Sequence, residues 1–185
     1  MEEIKLAVIG KGGVGKSAIT IRYVQDVYAE YYDSTIDDSK RKQTTVDENS
    51  YVLDIFDPPA QDEYSSLREA YRYDTRGFLF LFSLTDRLSF EQISVLHAQL
   101  LKDKDSDEVP IILMGNKSDL IDKRVVTSME ANELASKMKC MYIETSARSG
   151  DGVEHAFEEI VRCVKSVEDT FNLKKSKKTK ACIIV

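Results

Sequence analysis

The residues whose types and spacing could do chemistry begin with Gly10-Lys11-Gly12-Gly13-Val14-Gly15-Lys16-Ser17, which fit the pattern G-x-x-x-x-G-K-[ST]. In such a loop successive backbone N–H groups turn inward, and the helix that follows adds partial positive charge at its start. The product is a nest for a polyphosphate. A Cβ at Gly10, Gly12, Gly13 or Gly15 would keep the phosphates off the main chain. The Lys16 ammonium can reach the β- and γ-phosphates, the Ser17 hydroxyl can ligate Mg²⁺, and Val14 and Ala18 complete the candidate contacts. The plainer reading is a glycine-rich surface turn. It loses ground because the apolar run Ile4–Ile9 precedes the loop and a helix-period segment (Ala18, Ile21, Val24) follows it.

A second stretch, Asn116-Lys117-Ser118-Asp119, again follows a strand-like apolar run. Guanine offers two adjacent donors, N1–H and the exocyclic amine, that one carboxylate can accept together. Adenine lacks that pair and would leave the carboxylate buried without partners, which is costly. Asp119 is the candidate reader, with the Asn116 amide near N7 and O6 and the Lys117 stem over the ring. Alone, these four residues read as a charged turn; behind a phosphate loop they point to a guanine nucleotide, GDP or GTP. In Glu144-Thr145-Ser146-Ala147-Arg148 the Ala147 N–H is placed to meet the guanine O6, with Ser146 and Arg148 beside it.

Something must hold these loops. Strand-like runs alternate with helix-period segments, which predicts an α/β fold: a mostly parallel sheet with helices on both faces and ligand loops at the strand C-terminal ends. A polar, tyrosine-rich connection spans 26–40, and a hairpin is expected with strands 41–46 and 51–56 across Asp47-Glu48-Asn49-Ser50. Further strands are expected at 78–82, 111–114 and 141–143. Helices carry Phe90, Ile93, Leu96 and Leu100, then Ala131, Leu134, Ala135 and Met138, then Val153 to Val164. Thr127 and Glu130 form a capping box.

At 185 residues, 42% hydrophobic and 31% charged, the chain predicts one globular domain over 1–168 and a flexible tail over 169–185. Neither a signal peptide nor a transmembrane segment is expected. The three cysteines have no metal or redox spacing and point to a reducing compartment, with Cys140 and Cys163 as buried or half-buried thiols. The net charge of −6 includes Lys174, Lys175, Lys177, Lys178 and Lys180, so the rest of the chain is more acidic still. An acidic body with a basic tail argues against nucleic-acid binding.

With these motifs in place the chain resembles a Ras-family small GTPase of the Ras/Rap type, from residue 4 to the C-terminus and including Tyr32-Asp33-Ser34-Thr35-Ile36. The resemblance implies a six-stranded, Rossmann-like P-loop NTPase fold and a GDP/GTP switch in signal transduction. It implies that Thr35 ligates Mg²⁺ and senses the γ-phosphate, that Asp57 is an outer-sphere Mg²⁺ partner, and that Gln61 orients the attacking water. Tyr28 would lean on the base, with Tyr32 and Ser34 near the nucleotide; the alternative for Tyr28 and Tyr32 is ordinary half-buried loop tyrosines. Also implied are a monomer, exchange factors, GTPase-activating proteins and effector domains docking through Asp33–Lys40 and Gln61–Tyr71, and a place at the cytoplasmic face of the plasma membrane.

Two departures stand out. The family's second switch reads Asp-Thr-Ala-Gly-Gln, whereas this chain has Asp57-Pro58-Pro59-Ala60-Gln61. Two prolines fix φ and remove two donors, and Ala60 carries a Cβ where a glycine N–H meets the γ-phosphate. Slow hydrolysis is therefore expected; the rival is a non-cycling docking module held in the GTP state. The first switch carries Ser34, Asp37 and Lys40 in place of Pro, Glu and Tyr, so effector identity does not transfer. Lys11 is read as a solvated lysine in place of a small residue. The tail ends in Cys182-Ile183-Ile184-Val185, a C-terminal prenylation box, farnesyl or geranylgeranyl, behind the Lys174–Lys180 run. A lipid plus a polybasic patch is the pair of signals that stable anchoring to an anionic membrane needs.

Overall fold

A computed structural model describes residues 1–28, 39–57, 70, 74–106 and 109–181. Thr35, Tyr32 and Ser34 of the first switch, Pro58, Pro59, Ala60 and Gln61 of the second, and Cys182 lie outside the described residues.

Six strands form one sheet: β1 (Glu2–Ile9), β2 (Ser39–Val46), β3 (Asn49–Phe56), β4 (Gly77–Ser83), β5 (Ile111–Asn116) and β6 (Met141–Glu144). Their order is β2-β3-β1-β4-β5-β6, antiparallel between β2 and β3 and parallel elsewhere. Four α-helices among the described residues cover both faces: α1 (Lys16–Gln25), α2 (Arg87–Lys104), α3 (Ser128–Met138) and α4 (Val153–Ala181). The expected α/β class is what the chain adopts.

Period-2 alternation divides the core. From β1, Ile4, Leu6 and Val8 pack toward Ile19 and Tyr23 of α1 and Phe157, Ile160 and Val164 of α4. Ala7 and Ile9 face the other way, toward Ile93, Leu96 and Leu100 of α2 and Ala131 and Ala135 of α3. β4 is buried along its whole length, with Phe78, Phe80 and Phe82 on the α2/α3 side and Leu79 and Leu81 on the α1/α4 side. Strands apolar on both faces are what a parallel sheet between two helix layers requires.

Several boundaries differ from the sequence reading, each for a physical reason. The hairpin turn is Asp47-Glu48 alone, both at positive φ (49° and 67°), so Val46 pairs with Asn49. Asp tolerates the left-handed region, and a two-residue turn of that twist suits a hairpin. On α1 the residues deepest in the core are Ile19 and Tyr23, whereas Ala18 and Val24 are only partly buried. The α3 capping box forms as expected: Thr127 Oγ1 accepts from the Glu130 N–H and Glu130 Oε2 from the Thr127 N–H. α4 continues to Ala181 through the stretch expected to be a flexible tail. Residues 153–181 contain no Gly or Pro, and the lysine run has good helix propensity. No helix among the described residues is long and apolar enough to cross a membrane.

Candidate functional site

The chemistry-bearing residues gather at the C-terminal ends of the parallel strands. The phosphate loop follows β1, Asp57 follows β3, Asn116 ends β5, and Glu144-Thr145-Ser146-Ala147-Arg148 begins at the end of β6. The pairing of Ala7 with Phe56 puts Asp57, itself buried, on the loop side of the sheet.

The loop is shaped to be all main chain. A Cβ at Gly10 would lie 2.0 Å from the Leu81 carbonyl oxygen, so only glycine lets β1 turn against the end of β4. Gly15 has φ +101°, and its Cβ would sit 2.4 Å from Asn116 Nδ2. Gly12 and Gly13 make the intervening turn, and Lys16-Ser17-Ala18 open α1. That helix has no capping side chain and no acidic residue in its first turn. A helix start without a carboxylate of its own suits an incoming anion. The Lys16 ammonium, 6% exposed, donates to the Gly10 carbonyl at 2.7 Å and the Lys11 carbonyl at 3.2 Å. These carbonyls can give way to phosphate oxygens, which a buried ammonium binds more strongly.

Asn116, 2% exposed, joins the two halves of the site. Its Nδ2 donates to the Val14 carbonyl at 2.8 Å, and its Oδ1 accepts from the Ala147 N–H at 3.3 Å. The sequence reading set this amide against the base; the geometry gives it a bridging task between the phosphate loop and the last loop. Lys117, at φ +67°, stretches from the end of β5 to the Gly13 carbonyl, 2.8 Å from its Nζ. Asp119 Oδ1 accepts from Ser146 Oγ at 2.7 Å, and Ser146 Oγ accepts in turn from the Ser149 N–H. Between these groups lies a cavity of about 270 Å³. Gly15, Ala18 and Tyr28 line one side; Asn116, Lys117, Asp119, Ala147 and Arg148 line the other. Three stretches far apart in sequence thus enclose one space with room for a nucleobase beside a polyphosphate cradle.

Other residues support the site without any sequence signal. Glu144 takes a bidentate ion pair from Arg124 (2.6 and 2.8 Å), a hydrogen bond from Ser128 Oγ at 2.6 Å and another from Tyr142 OH at 3.1 Å. Arg124 above all holds its carboxyl down at about 2. Tyr142 OH would lie 2.6 Å from a Cβ on Gly115, the residue whose carbonyl accepts the Thr145 N–H. Arg22 donates to the Ser149 carbonyl and lies against Gly150. Lys11 is not merely solvated: its ammonium pairs with Asp86 at 3.0 Å. Apart from Tyr142, two residues from Glu144, these partners sit 16 to 127 residues apart in the chain, beyond any local pattern. The thiols of Cys140 and Cys163 are free and half-buried, and burial pushes Cys140 up to about 12, so neither has the character of a nucleophile.

Comparison with known proteins gives the same answer throughout. A model described as the Ras family matches residues 5–166. The Ras-like protein RAS2 of Hydra vulgaris is 44% identical over 185 residues, covering 99% of this chain and 96% of its own length. The Ras-like protein rasB of Dictyostelium discoideum is 46% identical, covering 95% of this chain and 90% of its own. Ras-like protein rasX of the same organism is 44% identical, covering 94% and 82%.

Proposed function

The chain belongs to the Ras family of small GTPases, and from that premise we propose a membrane-anchored guanine-nucleotide switch whose intrinsic hydrolysis is slow. The observation that supports it most is the joining of the phosphate loop to the base cavity through one buried side chain, Asn116, held on both sides.

In this reading the N–H groups of residues 13–18 and the Lys16 ammonium bind the phosphates, and Lys16 offsets the negative charge that develops during transfer. Asp119, oriented by Ser146, accepts the two guanine donors, while the Lys117 stem, Tyr28 and Arg148 flank the ring. Ser17 and Thr35 would hold Mg²⁺ directly and Asp57 through water, and the ion would supply neutralisation of the negative charge on the phosphates. Gln61 positions the attacking water. Tyr32 and Ser34 contact the nucleotide, and Ala60 supplies the N–H that meets the γ-phosphate. Effectors, exchange factors and GTPase-activating proteins engage 33–40 and 61–71, and Gly12 leaves space for an arginine supplied by an activating protein. Prenylated Cys182 and the Lys174–Lys180 run hold the chain on an anionic membrane surface, at the cytoplasmic face of the plasma membrane.

Slow hydrolysis follows from Pro58-Pro59-Ala60. The segment must rearrange when the γ-phosphate leaves, and two fixed φ angles stiffen it. The test is nucleotide analysis of purified protein followed by single-turnover GTP hydrolysis. Bound guanine nucleotide with a slow rate is expected, and Pro58→Thr, Pro59→Ala and Ala60→Gly together should raise that rate about tenfold or more, the scale of one restored transition-state donor. A wild-type rate that the triple change leaves unaltered would remove the account. Purified protein that retains GTP through both experiments would favour the static docking module.

A further inference from the structure

Lys11 stands inside the phosphate loop, where a positive side chain is not needed for the nest itself. Both ends of this residue are engaged. Its carbonyl accepts from Lys16 Nζ at 3.2 Å, and its own ammonium donates to Asp86 Oδ2 at 3.0 Å. Asp86 divides its carboxylate in two. Oδ1 caps α2, accepting from the Leu88 N–H at 3.0 Å and the Ser89 N–H at 3.3 Å, and Oδ2 is left to hold Lys11. The anchor is rigid. Ser89 Oγ donates to the Asp86 carbonyl at 2.7 Å and accepts from the Ser83 N–H at 3.0 Å, while Ser83 and Thr85 share a hydroxyl contact of 2.8 Å. The turn between β4 and α2 is thereby pinned to the end of β4, the same strand end against which Gly10 packs.

We propose that the Lys11–Asp86 ion pair is a positioning device for nucleotide retention, fixing the front of the phosphate loop to the cap of α2. The idea rests on the guanine-nucleotide reading above and adds a determinant of release rate to it. Among the described residues the loop is also held at Val14 by Asn116 and at Gly13 by Lys117, both on the base side. Lys11–Asp86 adds a hold at residue 11, beside the Gly10 and Lys11 carbonyls that accept from Lys16. If residue 11 drifts, those carbonyls drift with it, and the ammonium that meets the phosphates loses its placement.

The test is release of fluorescent N-methylanthraniloyl-GDP from Mg²⁺-loaded full-length protein into excess unlabelled GDP. The proteins compared are wild type, Lys11→Met, Asp86→Asn and the double variant. Asparagine keeps the helix cap and methionine keeps the stem, so each variant removes the charge pair and little else. A tether predicts that both single variants release about two- to five-fold faster, the range for a half-exposed ion pair. It predicts that the double variant is no faster than either single, since the two residues act as one unit. Added KCl should speed wild type more than the variants. A mere field effect predicts opposite signs: losing the cation speeds release, and losing the carboxylate slows it. Slower or unchanged release from Asp86→Asn, or additive effects in the double variant, overturns the proposal. So does a release change that merely tracks a collapse in melting midpoint of more than roughly 4 °C. Wild-type protein that fails to hold labelled GDP overturns the guanine-nucleotide reading instead, a result that the variants cannot mimic.

Discussion

In the proposed reading the loop at residues 10–17 binds chiefly through its main chain, with Lys16 and Ser17 as the side chains that take part. At 116–119 and 144–148 the binding is done chiefly by side chains, with the Ala147 N–H as the main-chain exception. The contrast is visible atom by atom. Gly10 and Gly15 are held to glycine by a backbone oxygen at 2.0 Å and an amide nitrogen at 2.4 Å from where a Cβ would be. On the base side Asn116, Asp119, Glu144 and Ser146 are each held by named hydrogen bonds. A phosphate is recognised by many weak, similar donors, which repeated N–H groups provide. A base edge is recognised by a few donors and acceptors in one arrangement, which needs buttressed side chains. The first design fails when space is filled; the second fails when a partner is removed.

The strongest way to break the phosphate side is therefore to add one carbon. Gly15→Ala places a Cβ at positive φ, costing about 1–2 kcal/mol, and pushes Asn116 off the Val14 carbonyl, adding about 1–3 kcal/mol for the group left unpaired. Together these predict GDP affinity about a hundred-fold or more weaker by calorimetry. If the two regions are as different as the geometry says, inorganic pyrophosphate binding should also fall, by about ten-fold for the backbone strain in the cradle. Asn116→Ala attacks the joint instead. It strands the Val14 carbonyl and the Ala147 N–H, and GDP affinity should fall about ten- to hundred-fold at about 1–3 kcal/mol. Its signature is that pyrophosphate binding is weakened much less than GDP binding. Equal losses for both ligands would mean that the two halves of the site are one unit.

The same contrast explains what was legible in the chain. The phosphate loop is written in eight consecutive residues because a backbone nest is a local object, and the strand and helix around it are local too. Asn116, Lys117 and Asp119 are legible as a group for the same reason, but the bridging task of Asn116 is not, because its two partners lie 102 and 31 residues away. Arg124, Ser128 and Tyr142 were invisible: nothing in their spacing says that one carboxylate collects all three. Lys11 was misread as solvated because its partner is 75 residues on. The hairpin turn came out two residues shorter than expected, because Asp47 and Glu48 accept a left-handed backbone that a composition-based reading assigns first to Gly or Asn.

The smallest expected effect tests the buttress behind the base side. Glu144→Gln keeps an acceptor for Ser128 and Tyr142 but turns an amide donor toward the Arg124 guanidinium, so the charge-assisted pair is lost. Glu144 is held at about 2 in the folded chain, chiefly by Arg124, against roughly 4.3 when unfolded. A carboxyl depressed in the folded state contributes stability that is fully present above its unfolded value and disappears as pH falls through its folded value. Wild type should thus lose more stability than Glu144→Gln between about pH 4.5 and 2, and the two melting curves should converge at the acid end. Near pH 7 the variant should melt lower by about 2–4 °C for each kcal/mol removed, with about 1 kcal/mol expected once partial exposure is discounted. Glu130, also held at about 2 by Arg87 and the α3 cap, titrates alike in both proteins and drops out of the difference. GDP affinity should shift less than about tenfold, since Asp119 and Ser146 remain in place. Parallel pH profiles would mean that Arg124 and Glu144 rest beside the base loop without supporting it, and the second of the two designs would lose its buttress.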